Sequence, residues 1–284
     1  MARREVSSAR RDPPLLAGAA IVVAVAYLLI VLFLPLGTVF IEALRKGVGA
    51  YFAGIVEPDA LAAIRLTLIV ALIAVPLNTI FGIAAAWAVT KFDFWGKSAL
   101  VTLIDLPFSI SPVISGLVYV LLYGANGWFG PTLDAWGVQI IFTVTGIVLA
   151  TVLVTLPFVA RELIPLMQAQ GSDEESAAAT LGAGPWRTFF FVTLPNIKWA
   201  LMYGVLLCTA RAMGEFGAVS VVSGHIRGET ATMPLQVEIL YNEYNFVAAF
   251  AVASLLALFA LVTLAAKTLL EARFADELAA QRWR

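Results

Sequence analysis

The stretch Ser172-Asp173-Glu174-Glu175-Ser176-Ala177-Ala178-Ala179-Thr180-Leu181-Gly182, followed at a distance by Val192-Thr193-Leu194-Pro195, decides the fold. Ser172 with Glu175 three residues on reads as a capping box, with Ser172 as N-cap and Glu175 at the third helical position. Three acids in that first turn suit the positive end of a helix. Ala177, Ala178, Ala179 and Leu181 extend the helix, and Gly182 and Gly184-Pro185 stop it. Gly171 breaks whatever helix precedes it. A second short helix starts at Pro185 and carries Trp186, Phe189 and Phe190, and Pro195 stands where a further helix begins. Small side chains let another surface approach the helix backbone. Such a helix either tucks under a membrane or docks a cytoplasmic partner.

Its surroundings are far from polar. The chain has 284 residues, 61% hydrophobic and only 13% charged, with a mean hydropathy of +0.92. Soluble domains run at about 45–50% apolar and about 25% charged. An ordinary cytosolic enzyme, a nucleic-acid binder and a disordered tail are excluded. With 18 basic and 19 acidic residues the net charge is −1, so there is no global field to hold nucleic acid. One cysteine, Cys208, and one histidine, His225, leave no basis for a disulfide framework or a His-based zinc site. The expected class is an all-α integral membrane protein.

A bilayer-crossing helix needs about 20 mostly apolar residues. Runs free of Asp, Glu, Lys and Arg place spans at Pro13–Ile41, Leu66–Thr90, Leu106–Leu133, Ala135–Ala160 and Tyr244–Ala266. A further span, from Ile197 to Val222, is apolar but holds Arg211 and Glu215. The first run is too long for a signal-peptide core and is expected to be an uncleaved helix. With the N-terminus inside, thirteen of the eighteen Lys and Arg fall in inside segments. Four (Arg45, Lys46, Arg65 and Arg227) fall outside, and Arg211 lies within a span. Six spans with both termini cytoplasmic follow from the positive-inside rule. Trp128 and Trp136 flank the outer ends of spans three and four as interfacial anchors.

The inside loop from Arg161 to about Lys198 is the longest, and here a family resemblance enters. The E-A-A-x3-G-x9-I-x-L-P loop of ABC importer permeases is similar to Ala177-Ala178, Gly182 and Val192-Thr193-Leu194-Pro195, with nine residues between Gly182 and Val192. Ser176 stands at the motif's Glu position, with Glu175 just before it, and Val192 replaces Ile. Ala210-Arg211-Ala212-Met213-Gly214-Glu215-Phe216-Gly217-Ala218 resembles the sulfate/molybdate branch of these permeases. Val221–Gly228, Val237–Phe246 and Asp105–Pro112 are similar to its sulfate/thiosulfate members.

The resemblance covers about Leu61 to Lys267. It implies the type I importer permease (MetI-like) fold: residues 1–60 as N-terminus, first span and outside loop, 61–267 as core with the loop at 172–195, and 268–284 as a cytoplasmic tail. It implies a subunit of an ATP-driven sulfate/thiosulfate importer in the bacterial inner membrane. Its partners would be two copies of an ATPase subunit, a T-type permease and an extracytoplasmic sulfate-binding protein. ATP and Mg would bind the ATPase, and no cofactor this chain. The sequence agrees, since no G-x4-G-K-[ST] occurs, and no catalytic constellation is expected. The ATPase would couple through Glu175, Ala177, Ala178, Leu181, Gly182, Leu194 and Pro195.

A sulfate dianion needs donors along its path, not carboxylates. Candidates are Ser109, Ser111, Ser115, Thr209, Ser220 and Ser223, and helix starts broken at Pro107 and Pro112. Each hydroxyl is also a plausible packing residue. Arg211 and Glu215, four residues apart, share a helix face, either as an anion counter-charge or as a pair that fixes packing. His225 and Arg227 are candidate contacts for the binding protein, or a solvated loop. Met233–Glu238 is expected as a short helix over the pore mouth. Cys208 is expected to be inert packing. A molybdate, phosphate or polyamine permease is the nearest alternative, although a polyamine path should be acidic. A self-sufficient secondary carrier would need internal repeats and midplane coupling residues.

Overall fold

The computed structural model describes residues 14–282. Arg3, Arg4, Arg10, Arg11, Pro13 and Arg284, used above for orientation and for the first span, lie outside the described residues. The elements run α1 (Pro14–Leu28), a π turn (Leu29–Phe33), α2 (Leu34–Ala43), α3 (Val48–Val56), α4 (Pro58–Lys91), α5 (Lys97–Ser109), α6 (Pro112–Tyr123), α7 (Gly130–Ala135), α8 (Val144–Thr155) and α9 (Pro157–Gln170). They continue with α10 (Asp173–Thr180), α11 (Pro185–Thr188), a second π turn (Phe189–Thr193), α12 (Leu194–Met213), α13 (Gly217–Val222), α14 (Met233–Asn242) and α15 (Phe246–Arg282). Among the described residues every regular element is helical. In hydrocarbon this is forced, because helices satisfy their own backbone groups.

Five stretches are long and apolar enough to cross a membrane: Gly18–Ala43, Pro58–Lys91, Val144–Gln170, Pro185–Met213 and Phe246–Leu270. The pair α5 and α6, bent by 107°, makes a sixth if counted as one span. α4 is the scaffold and packs on α8, α9, α12 and α14. Small residues permit close approach, as in membrane helix packing generally. A Cβ on Gly82 would stand 2.7 Å from Val159 Cβ, and one on Gly116 2.7 Å from the Ala218 carbonyl oxygen. Asn78, wholly buried, donates to Val152 O (3.1 Å) and Thr155 Oγ1 (2.7 Å), tying α4 to α8.

The apolar runs do not end where the helices do. Span three is no single rod from Leu106 to Leu133. α5 starts at Lys97, the chain is extended at Ile110 and Ser111, and α6 leaves in a new direction. Pro112 causes the break, since it lacks an N–H and disfavours helix at the residue before it. Pro107 breaks nothing and sits inside α5.

Span four runs from Val144 to Gln170 instead of Ala135 to Ala160. Residues 136–143 form a loop pinned by Phe142 N–H to Val222 O at 2.8 Å. The expected loop from Arg161 is therefore helical to Gln170. Span five ends at Met213; Gly214 to Phe216 interrupt it and α13 follows. α4 extends two turns outward beyond Leu66, and α15 runs through Arg282 without a separate tail element. Hydrophobicity reports which segments avoid water and is blind to where the backbone turns within them.

Arg211 is also not alone within a span. Arg161, Arg187 and Lys198 lie inside the Val144–Gln170 and Pro185–Met213 helices. These helices, of 27 and 29 residues, are longer than the about 20 that a crossing needs. Ala85, Ile104 and Ala160 share one packing cluster. Ala85 is twenty residues beyond Arg65, about 30 Å along a helix and so about one hydrocarbon thickness. Arg161, next to Ala160, meets Asp105 at 3.3 Å, and the Phe108 ring lies 4.9 Å from its guanidinium.

Candidate coupling and translocation sites

At the inner end, α10 forms where the acids and alanines place it, and it buries no residue. Ser172 is its N-cap, but the capping box is absent, because no side-chain hydrogen bond closes there. Glu175 is drawn elsewhere. Its Oε1 lies 2.8 Å from Lys91 Nζ at the end of α4 and accepts from Thr193 Oγ1 at 3.2 Å. Lys91 Nζ also donates to the Gly171 carbonyl. Asn196 Nδ2 donates to Glu174, and Gln170 Nε2 donates to Asn196 O at 3.2 Å. The first turn of α10 is thereby tied to the inner ends of α4, α9 and α12. Tertiary charge pairing outcompetes the local cap.

The far end of α10 closes in a Schellman motif. Gly182 N–H donates to Ala179 O (2.9 Å) and Ala183 N–H to Ala178 O (3.0 Å), with Gly182 at φ +84°. No atom crowds a Cβ at Gly182, so what the position demands is backbone conformation. Leu181 is 89% exposed, Ala177 and Pro195 are exposed, and Ala178 and Leu194 are half-buried. Trp186 and Phe190 stack at 6.3 Å beside them. Apart from Glu175, the residues expected to couple therefore present small and apolar side chains at this end of the bundle.

At the outer end, Arg211 Nη1 lies 2.7 Å from Glu215 Oε2, an ion contact not aligned as a hydrogen bond. The Glu215 side chain is 1% exposed and that of Arg211 34%. Glu215 Oε1 accepts from Ala218 N–H at 2.9 Å, so the same carboxylate caps α13. Glu215 lines a narrow crevice with Thr67, Val70, Thr151, Ala212, Met213, Val219 and Thr232. Thr67 is two residues beyond Arg65, so the crevice lies toward the first half of α4. Thr67 Oγ1 accepts from Met233 N–H at 2.8 Å, locking α14 to α4. α14 is the expected short helix, with Met233, Leu235 and Leu240 buried against the bundle.

The hydroxyl candidates separate. Ser115, Thr209 and Ser220 bond back to Ser111 O, Val205 O and Gly217 O of their own turns. Ser223, wholly buried, accepts from His225 N–H at 3.1 Å, and its carbonyl accepts from Thr230. Ser109 and Ser111 are exposed at the α5–α6 break. That break abuts the start of α13, where a Cβ on Gly217 would stand 3.0 Å from Pro112 Cβ. The break is thus next to the start of α13, two residues past Glu215. His225 and Arg227 are exposed on the outer loop, facing Glu238 (3.4 Å) and Glu243. Cys208 is buried, 3.8 Å from Thr155 O.

Two residues escaped the sequence reading. Lys91 entered only as a span boundary, and nothing marks a partner 84 residues away. Asn78 carried a visible signal, a lone amide inside the apolar run from Leu66 to Thr90.

Comparison with known proteins agrees with this geometry. The family described as "Binding-protein-dependent transport system inner membrane component" matches residues 78–276. The "Sulfate transport system permease protein CysW" of Synechocystis sp. is 53% identical over 253 residues, covering 89% of this chain and 92% of that protein. The "Sulfate transport system permease protein CysT" of Escherichia coli is 34% identical over 248 residues, covering 87% and 90%. A chain in the crystal structure of a bacterial alginate ABC transporter, in complex with its alginate pentasaccharide-bound periplasmic protein, superposes with a TM-score of 0.77. It is 18% identical and covers 91% of this chain and 94% of that one, a likeness of fold.

Proposed function

The chain belongs to the binding-protein-dependent transport system inner membrane components, and on that premise we propose that it is the W-type permease subunit of an ATP-driven sulfate importer. The 53% identity to a CysW sulfate permease across nearly the whole of both chains carries this reading. The chain is a transport component of the inner membrane. A T-type permease, related as the CysT protein is, supplies the other half of the path. A periplasmic binding protein delivers the anion, and thiosulfate is a second substrate. Two copies of an ATPase subunit dock under α10, and ATP and Mg bind there. Both termini are cytoplasmic, as the basic inner edge supports.

Sulfate meets Arg211, of which a single nitrogen engages Glu215, and the hydroxyls of Ser109 and Ser111 at the α5–α6 break. Donors there replace part of the hydration shell, and the neighbouring start of α6 adds backbone N–H groups. Glu215 does not face the anion, because its second oxygen is spent on α13.

The test is radiolabelled sulfate uptake by the four-component complex in proteoliposomes, with thiosulfate and molybdate as competitors. ATP-dependent uptake, inhibited more by thiosulfate than by molybdate, is expected. Uptake that persists without the ATPase subunit sinks the proposal.

A further inference from the structure

We propose that Lys91 is the positioning residue through which motion of α10 reaches the membrane bundle. The inference rests on the ATPase docking read above and names the element that receives the movement. A docking helix can pass on a push by packing or by specific ties. α10 buries no residue, so its apolar contact with the bundle is slight. The ties of its first turn are polar: Glu174 accepts from Asn196 of α12, and Glu175 reaches α4. Glu175 Oε1 holds Lys91 at 2.8 Å and Thr193 at 3.2 Å.

Lys91 occupies the inner terminus of α4, the 34-residue helix that packs on α8, α9, α12 and α14. Its side chain is 9% exposed, unusual for a lysine at a helix end, and it also holds the Gly171 carbonyl at the end of α9. Gly171 has φ +68°, a conformation that turns its carbonyl out of the helix. One ammonium therefore clamps α4, the α9 terminus and α10 together. A rigid helix that is tied at its end moves as a unit. Thr193 makes the equivalent tie to the helix leading into α12. Removing the ammonium leaves Glu175 without its charge partner and frees α10 from α4, so ATP hydrolysis would no longer displace the scaffold helix.

The experiment uses the complete complex in proteoliposomes and reads sulfate imported per ATP hydrolysed. Lys91→Met is expected to lower that ratio about tenfold, a coupling loss within the usual range for linked sites. Lys91→Arg, which keeps the charge and donors for both Glu175 and the Gly171 carbonyl, is expected to retain most of it. Co-purification of the ATPase confirms assembly in each case. A wild-type ratio in Lys91→Met overturns the proposal, as does a Lys91→Arg ratio no better than that of Lys91→Met. Docking is checked separately with Leu181→Cys, since Leu181 is exposed and the native Cys208 is buried. Failure of that position to cross-link to the ATPase sinks the docking reading itself, before any Lys91 variant is scored.

Discussion

The two ends of the molecule each hold an acid–base pair, and the pairs serve opposite purposes. The outer pair, Arg211 and Glu215, is local: its members are one helical turn apart, and the buried carboxylate also caps the next helix. The inner pair, Lys91 and Glu175, joins segments 84 residues apart and stands where three helices end. The outer carboxylate is sealed in a crevice among Thr67, Thr151 and Thr232. The inner one keeps 20% exposure on a helix with no core. A buried pair fixes the backbone at the outer mouth. A peripheral clamp holds a surface element without burying it in the bundle.

This contrast can be broken most directly at Glu215. Glu215→Ala removes the cap of α13 and leaves Arg211 without its partner. Because the carboxylate is buried, the loss is expected to be about 3 kcal/mol. It would be read as a lowered unfolding midpoint of the detergent-solubilised complex. An unchanged midpoint would mean that the outer pair is as peripheral as the inner one.

The next test concerns the wall between the two ends. Gly82→Ala pushes a Cβ to 2.7 Å from Val159 Cβ and 3.0 Å from Ala160 N. Overpacking of that kind costs about 2 kcal/mol, measured as lowered thermal stability. Stability equal to wild type would show that α4 and α9 can separate.

Smaller effects sharpen the inner end. Gly182→Val must adopt φ +84° with a branched side chain, at a cost of about 1–2 kcal/mol. Gly182→Asn, which tolerates that region, should retain most sulfate uptake when Gly182→Val does not. Equal defects would point to space needed by the partner, not to backbone conformation. Ser172→Ala should do least. A functioning Ser cap is worth about 1 kcal/mol, but no side-chain cap bond forms here. Uptake should therefore stay close to wild type, and the loss of uptake in Glu175→Ala should be clearly larger. The reverse order would restore the capping box and weaken the clamp.

These positions also show what could be read from the chain alone. The i, i+4 spacing of Arg211 and Glu215 announced their contact, because helix geometry brings such residues together. Gly182 announced its turn, because a helix end needs a left-handed residue and glycine takes it without strain. Glu175 misled. Its spacing from Ser172 fitted a capping box, and the signal for its true partner lay outside any local window. Ser223 likewise looked like a path hydroxyl, but it closes a turn with His225 and Thr230.

The sequence by itself determined the environment, the helical class and the number of apolar segments. Those follow from transfer free energy and helix period, which are sums over neighbouring residues. Only the tertiary structure decided where helices break, which hydroxyls are already spent and which lysine holds the coupling helix. Those depend on polar groups that compete for partners in three dimensions. A buried carboxylate takes the donor that is nearest in space, and nearness in space is what the order of residues does not record.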